Sequence, residues 1–196
     1  MEMPPLILAS VSPRRSGLLR QMGLTFQVIA AEAREILPEH LSPAEICQVN
    51  AYRKARAVAK KNPDALVLGA DTLVCLGTRI YGKPASLEGA EQMLQELQGQ
   101  EHLVITGLCL IHLRAHRQQA FAETTRVRFH PLGQAQIRTY LSHVNPLDKA
   151  GAYAIQEHGD LIVERVEGSF SNVVGLPVDR LRDELEAWVQ RRAGCR

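Results

Sequence analysis

Long apolar runs, clustered cysteines, abundant aromatics and an excess of either charge are all missing from this 196-residue chain. No apolar stretch approaches the ~18 residues of a membrane-spanning helix. The opening MEMPPLILAS, with an acidic residue, two prolines and a four-residue apolar run, lacks a signal-peptide core. A soluble, cytoplasmic protein with no membrane partner is the expectation. Cys47, Cys75, Cys109 and Cys195 stand singly, so no pair is spaced to share one metal ion, and ordinary reduced thiols are expected. The 23 Lys and Arg nearly cancel the 21 Asp and Glu, leaving +2, which gives no global signature of a nucleic-acid or acidic-membrane binder. Any functional positive charge must therefore be local. The nine aromatics form no interleaved aromatic and basic run for stacking on single strands, so no nucleic-acid partner is expected. Gly-x-Ser-x-Gly and Gly-x-Gly-x-x-Gly are also absent, which removes the usual signals of acyl and hydride transfer.

What the chain does have is punctuation. Fourteen glycines and ten prolines suit short, sharply turned connections in a layered α/β domain. Leu6 to Ala9 reads as a buried strand, and Ser12 followed by Pro13 as the N-cap and first residue of a helix burying Leu18, Leu19 and Met22. Ser42, Pro43, Ala44 and Glu45 form a capping box that opens a helix to about Lys61, with Ile46, Val49 and Ala57 inward. Ala65 to Ala70 reads as a central strand delivering Asp71 and Thr72 at its carboxyl end, followed by a hairpin over residues 73–81. Ala90 to Leu97 and Ile137 to Leu141 have helical spacing, Leu103 to Leu113 and Ala122 to Phe129 read as strands, and Tyr153 to Gln156 and Leu161 to Val166 as two more. Pro177 starts a last helix. With no repeat and no break in composition, one domain over 1–196 is expected, a curved mixed sheet flanked by helices with a cleft between two lobes.

Four segments could carry chemistry. In Ser10 to Arg15 a strand ends in hydroxyls and turns into a helix, where backbone N–H groups and two guanidiniums can meet an anion, though a capped surface helix would look the same. Asp71 sits beside Gly69 at the expected strand end, able to hold a cation or accept a proton, or simply to form a turn. Lys83 stands between Gly82 and Pro84, which could aim its ammonium or leave it solvated. In the run Asp148 to Gln156, small residues precede an amide that offers both a donor and an acceptor, unless it is a buried structural glutamine. His112 and His116 have metal-ligand spacing but fall at a strand end without a zincin glutamate.

In order along the chain, LILASVSPRR, the helix with Lys54 and Ala55, LGADTLV, GKP, QMLQELQG, ITG, DKAGAYAIQ and NVVGLP together resemble the Maf family of nucleoside triphosphate pyrophosphatases. The resemblance implies an inosine-triphosphatase-like α/β fold. It also implies hydrolysis of a nucleoside triphosphate to monophosphate and pyrophosphate, a divalent cation (Mg2+ or Mn2+), a cytoplasmic location and often a homodimer. Residue by residue, Asp71 matches the catalytic aspartate and proton acceptor, Arg14, Thr72 and Gln156 match positions of substrate choice, and Lys54, Lys83 and Glu35 match charged positions around the triphosphate and metal. Ser10 and Arg15 join them as substrate-binding residues, and Glu35 with Asp71 as metal ligands.

The DKAGAY and IQ pattern resembles the branch acting on dTTP and UTP, with a house-cleaning role that extends to modified pyrimidine triphosphates. A glutamine can donate to a pyrimidine carbonyl and accept from its ring N–H, whereas a carboxylate can only accept. Glu157 and His158 follow Gln156 where the family commonly has glycine next. Two alternatives stand beside this reading: a pyrophosphatase for 7-methyl-GTP or another purine nucleotide, and a nucleotide-binding regulator of septum formation and cell division.

Overall fold

A computed structural model describes the backbone of residues 3–193 and the side chains of residues 3–190, so Cys195 lies outside the described residues. The chain builds one mixed seven-stranded sheet flanked by helices. Its strands are β1 (Leu6–Leu8), β2 (Phe26–Val28), β3 (Leu66–Leu76), β4 (Arg79–Tyr81), β5 (Glu101–His112), β6 (Arg117–Phe129) and β7 (Val163–Glu167). The helices are α1 (Pro13–Gln21), α2 (Pro43–Ala59), α3 (Leu87–Leu97), α4 (Gln134–His143), α5 (Phe170–Val174) and α6 (Val178–Ala193). The strand order is β2-β1-β3-β5-β6-β7, with β4 paired to β3 off this path, so the sheet does not close into a barrel. Strands β2, β1 and β3 are parallel, joined through helical crossovers, while β3–β4 and β6–β7 are antiparallel. Among the described residues no helix is long and apolar enough to cross a membrane.

By packing, the chain divides into two compact units. The first comprises residues up to Asp71, Thr106–Glu123 and those from Gly175 on. Its core joins Ile7, Val67, Cys109 and Ile111 from the strands to Ala51, Ala55, Val58 and Ala59 of α2. The small side chains of that helix bring its backbone close to the sheet. A Cβ on Gly69 would stand 2.1 Å from the Ala51 carbonyl oxygen, and one on Gly107 would stand 2.3 Å from the Cys47 carbonyl carbon. Two glycines on strands β3 and β5 thus seat α2, and any side chain there would push it away. The second unit, Thr72–Ile105 and Thr124–Val174, packs Leu94 and Leu97 of α3 and Ile137 and Tyr140 of α4 with Val104, Val127, Phe129 and Tyr153.

The expected capping box is present: the Ser42 hydroxyl accepts from the Glu45 N–H while the Glu45 carboxylate accepts from the Ser42 N–H. Ser12 occupies the N-cap position of α1 as expected, but its side chain makes no capping hydrogen bond. Four expectations shift. Met22 is the half-buried C-cap of α1 and not part of its buried face, which is Ser16, Leu18 and Leu19. The inward face of α2 is Ile46, Cys47, Asn50, Ala51, Ala55, Val58 and Ala59, with Val49 and Ala57 only half-buried. Strand β3 does not end before Asp71 but runs on to Leu76, because the apolar residues Leu73 to Leu76 prolong the pleat. Asp71 therefore lies inside the strand, between the stretch paired with β1 and the stretch paired with β4. Residues 153–156 form no strand: Ala150–Ala152 is a 3-10 turn, and residues 155–158 are a turn as well.

Candidate active site

The chemistry-bearing residues of the first unit converge on Asp71. Its side chain is buried, the residue being only 4% exposed, and each carboxylate oxygen has a separate donor. The Lys54 ammonium donates to Oδ1 at 2.6 Å, and the Asn50 amide donates to Oδ2 at 3.1 Å. Lys54 reaches there because α2 rests on Gly69, two residues before Asp71 in the same strand. The same ammonium donates to Glu35 Oε1 at 2.6 Å, so two carboxylates meet on one cation. Glu32, three residues earlier, turns instead to an exposed pair with Lys61.

Burial raises the Asp71 carboxyl above its ordinary pKa, the Lys54 charge and hydrogen bond oppose that rise, and the nearby Glu35 charge adds to it. A carboxylate so placed is a better proton acceptor than a solvated one.

Asn50 is the residue that sequence reasoning missed. Buried on the inward face of α2, it accepts the Ile36 N–H at 2.9 Å and donates to the Ile36 carbonyl at 3.0 Å while holding Asp71. It thus pins the non-helical segment that presents Glu35 to the strand that presents Asp71. The available signal was a polar residue one turn before Lys54 in an otherwise apolar stripe.

Arg15 acts as a brace. Its guanidinium donates to the Ser10 hydroxyl at 3.1 Å, to the Ala70 carbonyl at 3.1 Å and to the Gly175 carbonyl at 2.9 Å, so it ties the β1–α1 turn to the residue before Asp71. Burial lowers its pKa from the ordinary arginine value. The Ser10 hydroxyl also accepts the Ser12 N–H at 3.3 Å. Arg14, half-buried, lies in the first turn of α1.

The remaining expected site residues belong to the second unit. Thr72 follows Asp71 in β3 and is half-buried. Lys83 and Gln156 are exposed, Lys83 in the loop between β4 and α3 and Gln156 on the 155–158 turn. The 3-10 segment Ala150–Ala152 that leads to the Gln156 turn is joined to the Lys83 loop, since the Gly151 N–H donates to the Gly82 carbonyl at 3.1 Å. Gly151 is at φ +70, and a Cβ there would meet the Val74 side chain at 3.0 Å, so this junction requires glycine. His112, at the end of β5, accepts the Ala115 N–H on Nδ1, a turn contact. Burial pushes the Cys75 thiol up to about 11 and the Cys109 thiol to about 12, which keeps both protonated at neutral pH.

Among the described residues no three His, Cys, Asp or Glu side chains gather into a protein-only metal cage. The donors that do converge, Asp71 and Glu35, are hard carboxylate oxygens reaching for one positive charge. That set fits Mg2+ or Mn2+, ions commonly held by one or two carboxylates with substrate phosphates completing the shell.

The chain is 47% identical over 184 residues to the dTTP/UTP pyrophosphatase of Pelotomaculum thermopropionicum, covering 94% of this chain and 96% of the relative. It is 46% identical over 174 residues to the dTTP/UTP pyrophosphatase of Bacillus velezensis, covering 88% and 90%. With the protein of that name from Salinibacter ruber it shares 46% identity over 184 residues, covering 93% and 90%. The Maf-like protein family matches residues 5–188, which include every residue placed around Asp71 as well as Lys83 and Gln156, so the chain belongs to the Maf-like family.

Proposed function

We propose that this protein is a nucleoside triphosphate pyrophosphatase that hydrolyses dTTP and UTP to the monophosphate and pyrophosphate, a house-cleaning activity on the nucleotide pool. The observation that carries the reading is the buried Asp71 carboxylate held by Lys54 and Asn50, in a chain whose relatives bear the name dTTP/UTP pyrophosphatase. Asp71 accepts a proton from the attacking water as the new P–O bond forms and the α–β phosphoanhydride breaks, with pyrophosphate as one product. Asn50 and Lys54 keep the carboxylate fixed and oriented for this transfer. Phosphoryl chemistry asks chiefly for positioning and charge neutralisation, and Arg14, Arg15, Lys54 and Lys83 supply the cations, with the Ser10 hydroxyl as a further phosphate donor. A divalent cation held by Glu35 and Asp71 would add charge neutralisation and lower the pKa of a bound water. Thr72 and Gln156 contact the nucleoside, and the Gln156 amide pairs with the carbonyl and ring N–H of uracil or thymine.

Incubating the purified chain with a triphosphate panel and Mg2+ or Mn2+, then resolving the products, tests this reading. Pyrophosphate and monophosphate from dTTP and UTP are the expected outcome. Orthophosphate with diphosphate would overturn the mechanism, and preferential turnover of purine triphosphates would overturn the base assignment.

A further inference from the structure

Gln156 is exposed on a turn, yet the backbone leading to it is fixed on all sides within the second unit. The Tyr140 hydroxyl accepts the Ala154 N–H at 3.0 Å and donates to the Ala154 carbonyl at 3.2 Å. One side-chain oxygen from α4 thus satisfies both backbone groups of a residue two positions before Gln156, as a neighbouring strand would otherwise have to do. Tyr140 is fully buried, so its phenol has no solvent to exchange with. The preceding residue is anchored as well: the Tyr153 hydroxyl lies 2.9 Å from His102 Nε2, and its ring packs edge-on against Phe129.

On the far side of Gln156 stands a buried ammonium. Lys149 donates to the Asn145 carbonyl at 2.7 Å and pairs with Asp148 at 2.9 Å and with Glu157 at 3.3 Å. Glu157 adjoins Gln156, so the turn is gripped before and after the one residue whose amide faces outward. A turn free to shift would carry the amide out of reach of the base edge, and whatever preference its contacts give would be lost with them.

We propose that Tyr140 is a positioning residue for nucleobase selection, acting through Ala154 to set the Gln156 amide, with the Lys149–Glu157 pair as the second grip. This rests on the pyrophosphatase reading and on Gln156 as the base contact. The preferred substrates are pyrimidines bearing a 4-carbonyl and a ring N–H, and the discriminated competitor is the 4-amino pyrimidine of CTP.

The test measures kcat and KM for dTTP, UTP and CTP on the full chain and on Tyr140→Phe, Glu157→Gln, Gln156→Ala and the Tyr140→Phe/Gln156→Ala double variant. Tyr140→Phe is expected to lower the UTP-to-CTP preference in kcat/KM roughly five- to tenfold, mainly through KM. Glu157→Gln should lower it about two- to threefold. The double variant should discriminate no worse than Gln156→Ala alone, since both changes remove one function. Full preference in both Tyr140→Phe and Glu157→Gln, or losses that multiply in the double variant, would overturn the proposal. Unchanged preference in Gln156→Ala beside a loss in Tyr140→Phe would overturn the proposal by removing Gln156 as the base contact, while turnover of dTTP and UTP to pyrophosphate and monophosphate would leave the pyrophosphatase reading intact. If Tyr140→Phe does not fold, Glu157→Gln decides alone, by a reduced preference or a full one.

Discussion

The surroundings of Asp71 and the turn that carries Gln156 solve opposite problems. Around Asp71 the polar groups are already partnered: two carboxylates share one ammonium, and a buried amide holds the remaining oxygen. At Gln156 the partnered groups are in the backbone and in neighbouring side chains, while the amide itself faces outward, as does the Lys83 ammonium. This contrast suits the roles proposed for the two: a proton acceptor needs an environment fixed before substrate arrives, whereas a recognition group needs a fixed anchor and an unspent valence.

The comparison breaks most severely at Asp71. Asp71→Asn should lower kcat by about a thousandfold or more while circular dichroism stays native, because the proposed proton acceptor is lost and the shape is kept. Asn50→Leu comes next: it strips one donor from Asp71 and both bonds to Ile36, and should reduce kcat about ten- to a hundredfold with a fall in melting temperature. Changes in the other region should move different parameters. Lys83→Ala and Gln156→Ala are expected to raise KM by about tenfold with the melting temperature unchanged, since neither exposed side chain holds the fold. An equal fall in kcat and in stability there would erase the distinction.

The smallest effect concerns the anchor beneath the turn. Burial depresses the His102 pKa from 6.5 to about 4. Below 6.5 the unfolded chain takes up the proton that the folded one refuses, so this contribution to stability is intact above 6.5 and is lost as pH falls toward 4. About 1 kcal/mol should disappear over the first pH unit of that descent. Denaturant titrations at a series of pH values, with His102→Gln as the flatter control, would measure it.

Local signals made much of this legible. The Ser42–Glu45 box, the Pro13 start of α1 and the apolar run of β3 are short-range patterns, and each has a structural counterpart. What escaped depended on partners remote in sequence. Tyr153 to Gln156 reads as a strand because small residues lead into a largely apolar run, but the backbone of Ala154 within it is satisfied by a phenol 14 residues earlier, which no periodicity announces. Asn50 interrupts an apolar stripe and so looks like noise until Asp71, 21 residues on, is seen beneath it. Glu35 lies in a segment without regular structure, and only its contact with Lys54, 19 residues away, distinguishes it from Glu32.

The Arg15 contact with Gly175 has a consequence for the way the protein is made. It joins groups 160 residues apart, and the unit that holds Asp71 is assembled from three separate stretches, the last beginning at that same Gly175. The other unit ends at Val174. On the ribosome, therefore, the unit bearing Gln156 has its full complement of residues first, while the Asp71 centre waits for the residues from Gly175 on. A nascent chain stalled before Gly175 would have the Gln156 turn and still lack the acceptor that secures Arg15 beside Ala70.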